Sequence, residues 1–318
     1  MKLELESVAD LLKKYHHFVI TAHVNPDGDA IGSVLALTHF LNGMGKKVTC
    51  LIDDDIPENF KIMPGYEQII KPVQAIANVD LLIILDSSDL ERIGRVKEVV
   101  TAPILNIDHH ISNNEFADYL YLDHKKAATG EIIFELLASM HATFTKEIAT
   151  CLYVAIATDC GFFRYANTTE NTMKIGAELI GFGVKPNLIS EALEKKPLAS
   201  LKTLGSVLQS LEIFANGKIG CITITEQILT SCDSTEGFID FARIVDGVDV
   251  AVMVKYVDAA SCRISMRSKT VDVSTIAIQF NGGGHIRAAG CTLNYPLEES
   301  KKIILKAIES SIEELTHA

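Results

Sequence analysis

Four short segments gather the residue types that hold hard cations and activate water. HVNPDGDAIGS contains His23, Asp27 and Asp29. Asn25, Pro26 and Gly28 force a tight turn there, so His23 and Asp27 can converge on one point while Asp29, at a helix start, faces a second. Capping of that helix is the plain alternative for Asp29. Asp86 ends the apolar run DLLIILDSS, where a lone aspartate is more often a turn or cap residue. APILNIDHH closes on Asp108, His109 and His110, and adjacent imidazoles rarely form a satisfied core pair because each ring has two nitrogens to partner. In AIATDCGFF, Asp159 interrupts an apolar helical pattern, where an unpartnered carboxylate is costly to bury.

Taken together, His23, Asp27, Asp29, Asp86, His109 and Asp159 offer four carboxylates and two imidazoles without a thiolate. Two hard divalent ions fit that donor set, manganese or magnesium rather than structural zinc. Four negative charges would offset four positive ones, and the recurrence of such elements at several strand ends argues against chance.

The elements that must position these residues follow from the hydrophobic pattern. Between Phe18 and Asn113 the runs FVITAH, KVTCLI, DLLIILDSS and APILNIDHH alternate with helical patterns, which predicts a parallel sheet covered by helices. Their polar residues fall at the carboxyl ends, where open α/β sheets place ligands. After Asp123 the segments GEIIFELLASM, EIATCLYVAIATDC and NTMKIGAELIGFG show helical spacing. Lys185 to Leu211, with Pro186 and Pro197, reads as the linker. The expected organisation is a first domain over 1–196, with linker helices from about 185, and a smaller α/β domain over 197–318. The second reads as strand KIGCITIT, helix EGFIDFARIV, strands VDVAVMVKYVD and SCRISMRS, helix VSTIAIQF, a glycine run, a strand and an amphipathic helix from Leu297. Two domains invite an active site in the cleft between them.

Composition narrows the function classes. Of 318 residues, 48% are hydrophobic and 22% charged, an ordinary globular balance. A formal charge of -12 and pI near 5.3 disfavour a long nucleic-acid track. Seven cysteines, Cys232 among them, stand without any C-x-x-C pair, so disulfide scaffolding and structural zinc are not expected. The start MKLELESVADLLKKYHH lacks a secretory h-region, and no apolar run approaches the roughly 20 residues of a spanning helix. The expected compartment is the cytoplasm, with no membrane partner.

HVNPDGDAIGS, Asp86, the DHH at Asp108 to His110, and Asp159 in TDCG resemble the four motifs of the DHH phosphoesterase superfamily. NGGGHIRAAG, from Asn281 to Gly290, resembles the signature of its DHH-associated second domain, so the resemblance spans nearly the whole chain. Length, domain order and the FFRY segment most resemble the bacterial nanoRNase group, which combines oligoribonuclease and pAp phosphatase activities. The resemblance implies that His23 and Asp27 bind one metal, that Asp29, His109 and Asp159 bind the other, and that Asp86 bridges them. It further implies that His110 faces the substrate phosphate and Asp108 orients a neighbouring histidine. Two cations a few ångströms apart would then acidify a water for in-line attack on phosphorus, with no covalent enzyme intermediate.

The C-terminal half is expected to choose the substrate. Gly282, Gly283 and Gly284 let backbone amides approach an anion in a nest, with His285 projecting from that loop; a flexible loop is the alternative. Arg263 and Arg267 should share a strand face with Ser265, and Arg267 with Ser268 matches the family's phosphate-contacting pair. Arg164 in GFFRYANT either reaches substrate or forms a surface ion pair. The expected partners are short oligonucleotides and nucleotides, and a homodimer is compatible with the sequence. A cyclic di-AMP or linear dinucleotide phosphodiesterase would use the same site. A family II inorganic pyrophosphatase would lack the GGGH loop, a RecJ-type nuclease would carry a further basic binding domain, and a non-catalytic nucleotide-binding protein would have lost a ligand.

Overall fold

The computed structural model describes residues 1–230, 235 and 237–317, with the side chains of 315–317 excluded. Cys232 lies outside the described residues; the other six cysteines are buried free thiols. The chain divides into two compact units, Met1–Lys195 and Lys196–Ala318. The expected linker is two helices, Pro186–Glu194 and Leu198–Leu208; the first opens on Pro186, which suits a first turn that needs no N–H, and Pro197 precedes the second as its N-cap.

In the first unit six strands form one sheet: β1 His17–Thr21, β2 Lys47–Leu51, β3 Ile69–Ile70, β4 Leu81–Leu85, β5 Ile104–Asp108 and β6 Tyr119–Leu122. Their order is β3-β2-β1-β4-β5-β6, and every neighbouring pair is parallel. Strands β1 and β4 are buried along their whole length, which explains their uninterrupted apolar runs. From this central pair the order runs outward in opposite directions, so a topological switch point lies between them and opens a crevice at their carboxyl ends. Strands β3 and β6 are additions to the sequence reading. One has two residues and the other four, too short for period-2 patterning to register.

Helices Gly28–Gly43 and Lys146–Asp159 pack antiparallel against each other. A Cβ at Gly28 would lie 2.3 Å from Thr158 Oγ1, and one at Gly32 would lie 2.4 Å from the Cys151 carbonyl oxygen. The missing side chains permit this approach, which brings the first helix's N-terminus, with Asp29, to the second's C-terminus, with Asp159. Phe18, Ile20, Ile31, Leu35, Ile83, Leu105, Ile133 and Leu152 are fully buried in the core beneath.

The second unit is a mixed sheet of β7 Glu212–Phe214, β8 Ile219–Ile224, β9 Val250–Asp258, β10 Ser261–Ser268, β11 Gly283–His285 and β12 Ala288–Leu293. The order is β11-β12-β10-β9-β8-β7, antiparallel except between β8 and β9. Helices cover both faces: Val273–Gln279 and Leu297–His317 on one, Leu198–Leu208 and Phe238–Arg243 on the other. The glycine run expected as a loop is instead edge strand β11. A Cβ on Gly282 would meet the Gly290 carbonyl oxygen at 2.2 Å, and one on Gly284, at φ +140°, would meet that of Ala288 at 2.5 Å. These glycines thus allow close strand pairing rather than a free loop. Among the described residues no helix is long and apolar enough to cross a membrane.

Candidate metal centre

The turn after β1 is held at three points. Val24 N–H donates to the Arg92 carbonyl at 2.7 Å, and Asn25, left-handed at φ 52°, donates its N–H to Asp54 Oδ2 at 2.6 Å. Asp27 then caps the helix Gly28–Gly43 by accepting from Asp29 N and Ala30 N, both at 3.0 Å. Capping, offered above as the alternative for Asp29, belongs to Asp27. Asp29 is buried, and its carboxylate accepts from Thr129 N at 2.7 Å, Gly130 N at 2.8 Å and Ser33 Oγ at 3.1 Å.

Asp86 follows β4 and is also buried. Its φ of 54° is left-handed, at a cost of about 1–3 kcal/mol for a residue other than glycine. Its two oxygens face two histidines: Oδ2 lies 3.5 Å from His23 Nε2, and Oδ1 lies 3.5 Å from His109 Nε2. His23 Nδ1 donates to the Val24 carbonyl at 2.8 Å, and His109 Nδ1 to that of Lys126 at 3.2 Å. A carbonyl can only accept, so each ring carries its proton on Nδ1 and turns Nε2 toward the carboxylates. Metal-binding histidines are oriented in this way. His23 Nε2 is 3.7 Å from Asp27 Oδ2; His109 Nε2 is 3.6 Å from Asp159 Oδ2 and 3.9 Å from Asp29 Oδ2.

These separations are too wide for hydrogen bonds. They suit atoms sharing a cation, since ligands at roughly 2.1 Å from one ion stand about 3–4 Å apart. Two trios result, His23 with Asp27 and Asp86, and Asp29 with His109 and Asp159, each with donor atoms within 4.8 Å of one another. Asp86, His109 and His110 form a third such group, but His110 Nδ1 already donates to Asp108 Oδ1 at 2.7 Å.

The electrostatics of the cluster follow from acidic groups buried side by side. Burial, then the charges of Asp86, Asp159 and Asp27, push the Asp29 carboxyl well above its ordinary range. Burial, with Asp86 and Asp27, likewise pushes Asp159 up to about 7 against the pull of the histidines. Burial opposes ionisation of Asp86 too, yet His23 and the charges of His110 and His109 hold it well below the usual carboxylate range. Burial works against charge on His23, but Asp27 and Asp86 outweigh it and raise the ring to about 10. Carboxylates crowded together in a buried setting resist ionising side by side, a cost that divalent cations would relieve.

Arg164 is exposed, in a turn where Gly161, Phe162 and Phe163 are successively left-handed. Its Nε donates to the Gly161 carbonyl at 2.8 Å, and among the described residues it forms no ion pair. In the second unit Arg267 and His285 both pair with Ala288, one from each side. Directly opposed residues share a sheet face, so the register sets these two side chains on one row. Arg263 and Ser265 alternate onto the same face, whereas Ser268 is buried on the other. Its Oγ accepts from Thr270 N at 3.2 Å and Val271 N at 2.8 Å, which leaves its O–H to donate.

The sequence reading missed Thr129, whose Oγ1 donates to Asp86 Oδ1 at 3.1 Å and whose N–H holds Asp29. It also missed Asp54. Neither carries a local signal: Thr129 opens an ordinary helix, and Asp54 sits in an acidic surface run.

Comparison with known proteins follows the same division. The profile of the DHH family, N-terminal domain, matches residues 17–156, and that of the DHHA1 domain matches residues 233–314. The chain is 33% identical to the bifunctional oligoribonuclease and PAP phosphatase NrnA of Thermus thermophilus, across 99% of this chain and 95% of that protein. The Bacillus subtilis protein of the same name is 26% identical, with 96% of each chain covered. Among solved structures, an exopolyphosphatase-related protein from Bacteroides fragilis superposes with a TM-score of 0.90 at 27% identity, covering 96% of this chain and 95% of that one.

Proposed function

This chain belongs to the DHH family of metal-dependent phosphoesterases, and we propose that it hydrolyses very short oligonucleotides to mononucleotides and 3'-phosphoadenosine 5'-phosphate (pAp) to AMP. The observation that carries the reading is the pair of donor trios over the switch point of the sheet, one containing Asp86 and the other facing it through His109. His23 and Asp27 would hold one divalent cation and Asp29, His109 and Asp159 the other, with Asp86 shared. Oxygen and imidazole donors favour Mn2+, with Mg2+ as the substitute. When bound, such a pair polarises a phosphoryl oxygen and makes a water acidic enough to attack near neutral pH.

The chain's own groups supply the rest. Burial opposes charge on His110, but Asp108 and the charges of Asp86 and Asp159 raise its pKa to about 9. A ring kept protonated by its contact with Asp108 would offset negative charge on the phosphoryl group as it builds. Asp108 holds that ring through Nδ1. For recognition we assign Arg267, Gly283, Gly284 and His285 of the second unit, with Arg164 of the first; Ser268, buried on the opposite sheet face and bonded to Thr270 N and Val271 N, supports the turn after β10 instead. An arginine and an imidazole on one row suit phosphate. The net charge of -12 supports short substrates over long tracks, and likeness over the full length to an oligoribonuclease and PAP phosphatase supports the pairing of substrates. Buried free thiols suit a reducing cytoplasm.

The test is a product time course with Mn2+ on 5'-labelled and 3'-labelled oligonucleotides of graded length, beside pAp and cyclic di-AMP. The reading expects the shortest fragments to be consumed fastest and pAp to yield AMP. Turnover of cyclic di-AMP alone, or equal digestion of long and short strands, would overturn it.

A further inference from the structure

Asn106 lies in the interior of β5, fully buried between Leu105 and Ile107. Packing alone does not call for a carboxamide there, because an aliphatic side chain fills such a place without a polar group to satisfy. Its Nδ2 donates to the carbonyls of Ile84 at 3.1 Å and Ser87 at 3.2 Å. Those carbonyls bracket the segment in which Asp86 adopts its left-handed φ of 54°. The backbone N–H of Asp86 itself reaches the Ile107 carbonyl at 3.1 Å. Asp86 is thus gripped by β5 on both sides.

Asn113 continues the chain of contacts. Its Oδ1 accepts from Glu115 N at 2.8 Å, which fixes the orientation of the amide. Its Nδ2 then lies 2.8 Å from Asn106 Oδ1 and 2.7 Å from Asp108 Oδ2. The other oxygen of Asp108 accepts from His110 Nδ1 at 2.7 Å and His109 N at 2.9 Å. One unbroken line of hydrogen bonds therefore runs from the backbone around Asp86 to the ring of His110. In a buried setting such networks specify one geometry.

We propose that Asn106 and Asn113 are positioning residues of the metal centre: Asn106 clamps the turn that aims Asp86, and Asn113 couples that clamp through Asp108 to His110. The inference rests on the roles given above to Asp86 and His110. Asn113→Ala cuts the coupling and leaves the clamp, so metal binding survives while the His110 ring loses its fixed aim. Asn113→Asp is worse, because it sets an acceptor against the oxygens of Asp108 and Asn106. Asn106→Ala releases Asp86 itself, and both metal affinity and turnover fall.

The experiment measures, on the full chain, Mn2+ affinity by calorimetry, melting temperature, and kcat and KM for bis-p-nitrophenyl phosphate. Because this probe is a generic ester, failure of the proposed nucleotide substrates would not alter its outcome. Asn113→Ala is expected to lower kcat by about ten-fold to a hundred-fold, as small misplacements of catalytic groups do, with KM and Mn2+ affinity unchanged and Asn113→Asp lower still. Asn113 is only half-buried, so these variants keep the test open should Asn106→Ala fail to fold. Wild-type kcat in both Asn113 variants, or a loss of kcat that merely follows a loss of folded protein at the assay temperature, would overturn the proposal.

Discussion

In the first unit most of the chemical side chains are held by another group before any ligand arrives: Asp29 by two backbone N–H groups and a hydroxyl, His23 and His109 by carbonyls, Asp86 by Thr129. In the second unit Gly283, Gly284 and His285 stand exposed on an edge strand, and Arg267 donates to the carbonyl of its neighbour Met266 at 3.0 Å. A centre that must present opposed charges gains from rigidity, since preorganised groups need no rearrangement when the barrier is crossed. A surface that accepts fragments of differing length gains from long, exposed donors that can re-aim. The contrast is between a fixed reaction geometry and an adaptable grip.

The sharpest way to break this contrast is Asp86→Ala. Because Asp86 belongs to one trio and faces the other through His109, hydrolysis of oligonucleotides and of pAp should fall together, by about a thousand-fold or more in kcat/KM. A variant that lost one activity and kept the other would place Asp86 on a recognition surface instead. Arg267→Ala and His285→Ala should act less severely. A phosphate contact of this kind corresponds to roughly a ten-fold to thousand-fold loss on nucleotides, with bis-p-nitrophenyl phosphate affected much less and bound Mn2+ unchanged. Metal loss comparable to that of Asp86→Ala would remove the distinction between the units.

Smaller still is the difference between two adjacent glycines. At Gly284 the backbone is left-handed and a Cβ would press on the Ala288 carbonyl, whereas at Gly283 it meets open space. Gly284→Ala should therefore destabilise by about 1–3 kcal/mol and raise KM for nucleotides, while Gly283→Ala stays within about 0.5 kcal/mol. Thermal melts and nucleotide kinetics on the two variants decide it, and equal effects would mean that the strand pairing is not what the glycines secure.

Much of the first unit was legible because its central strands are buried on both faces and each ends where the chemistry begins, as at His23, Asp86 and His109. The same logic hid β3 and β6, which are too short to pattern. The GGGH segment was legible as a place of unusual backbone but not as a strand, since glycine signals freedom without naming the neighbour it approaches. Asp27 and Asp29 exchanged the capping role because two acidic residues flanking one glycine compete for it, and only packing against Thr129 and Gly130 decides. Thr129 was illegible for a plainer reason: its N–H meets Asp29 across 100 positions of sequence, and no local pattern reports such a contact.

The central claim is that two cations held at Asp86 carry the reaction, and metal titration on a single preparation tests it most directly. The protein, dialysed against excess chelator, should lose turnover of both pAp and bis-p-nitrophenyl phosphate and regain it as Mn2+ is restored, saturating at two ions per chain. Full turnover in excess chelator, or saturation at one ion or none, would contradict the account.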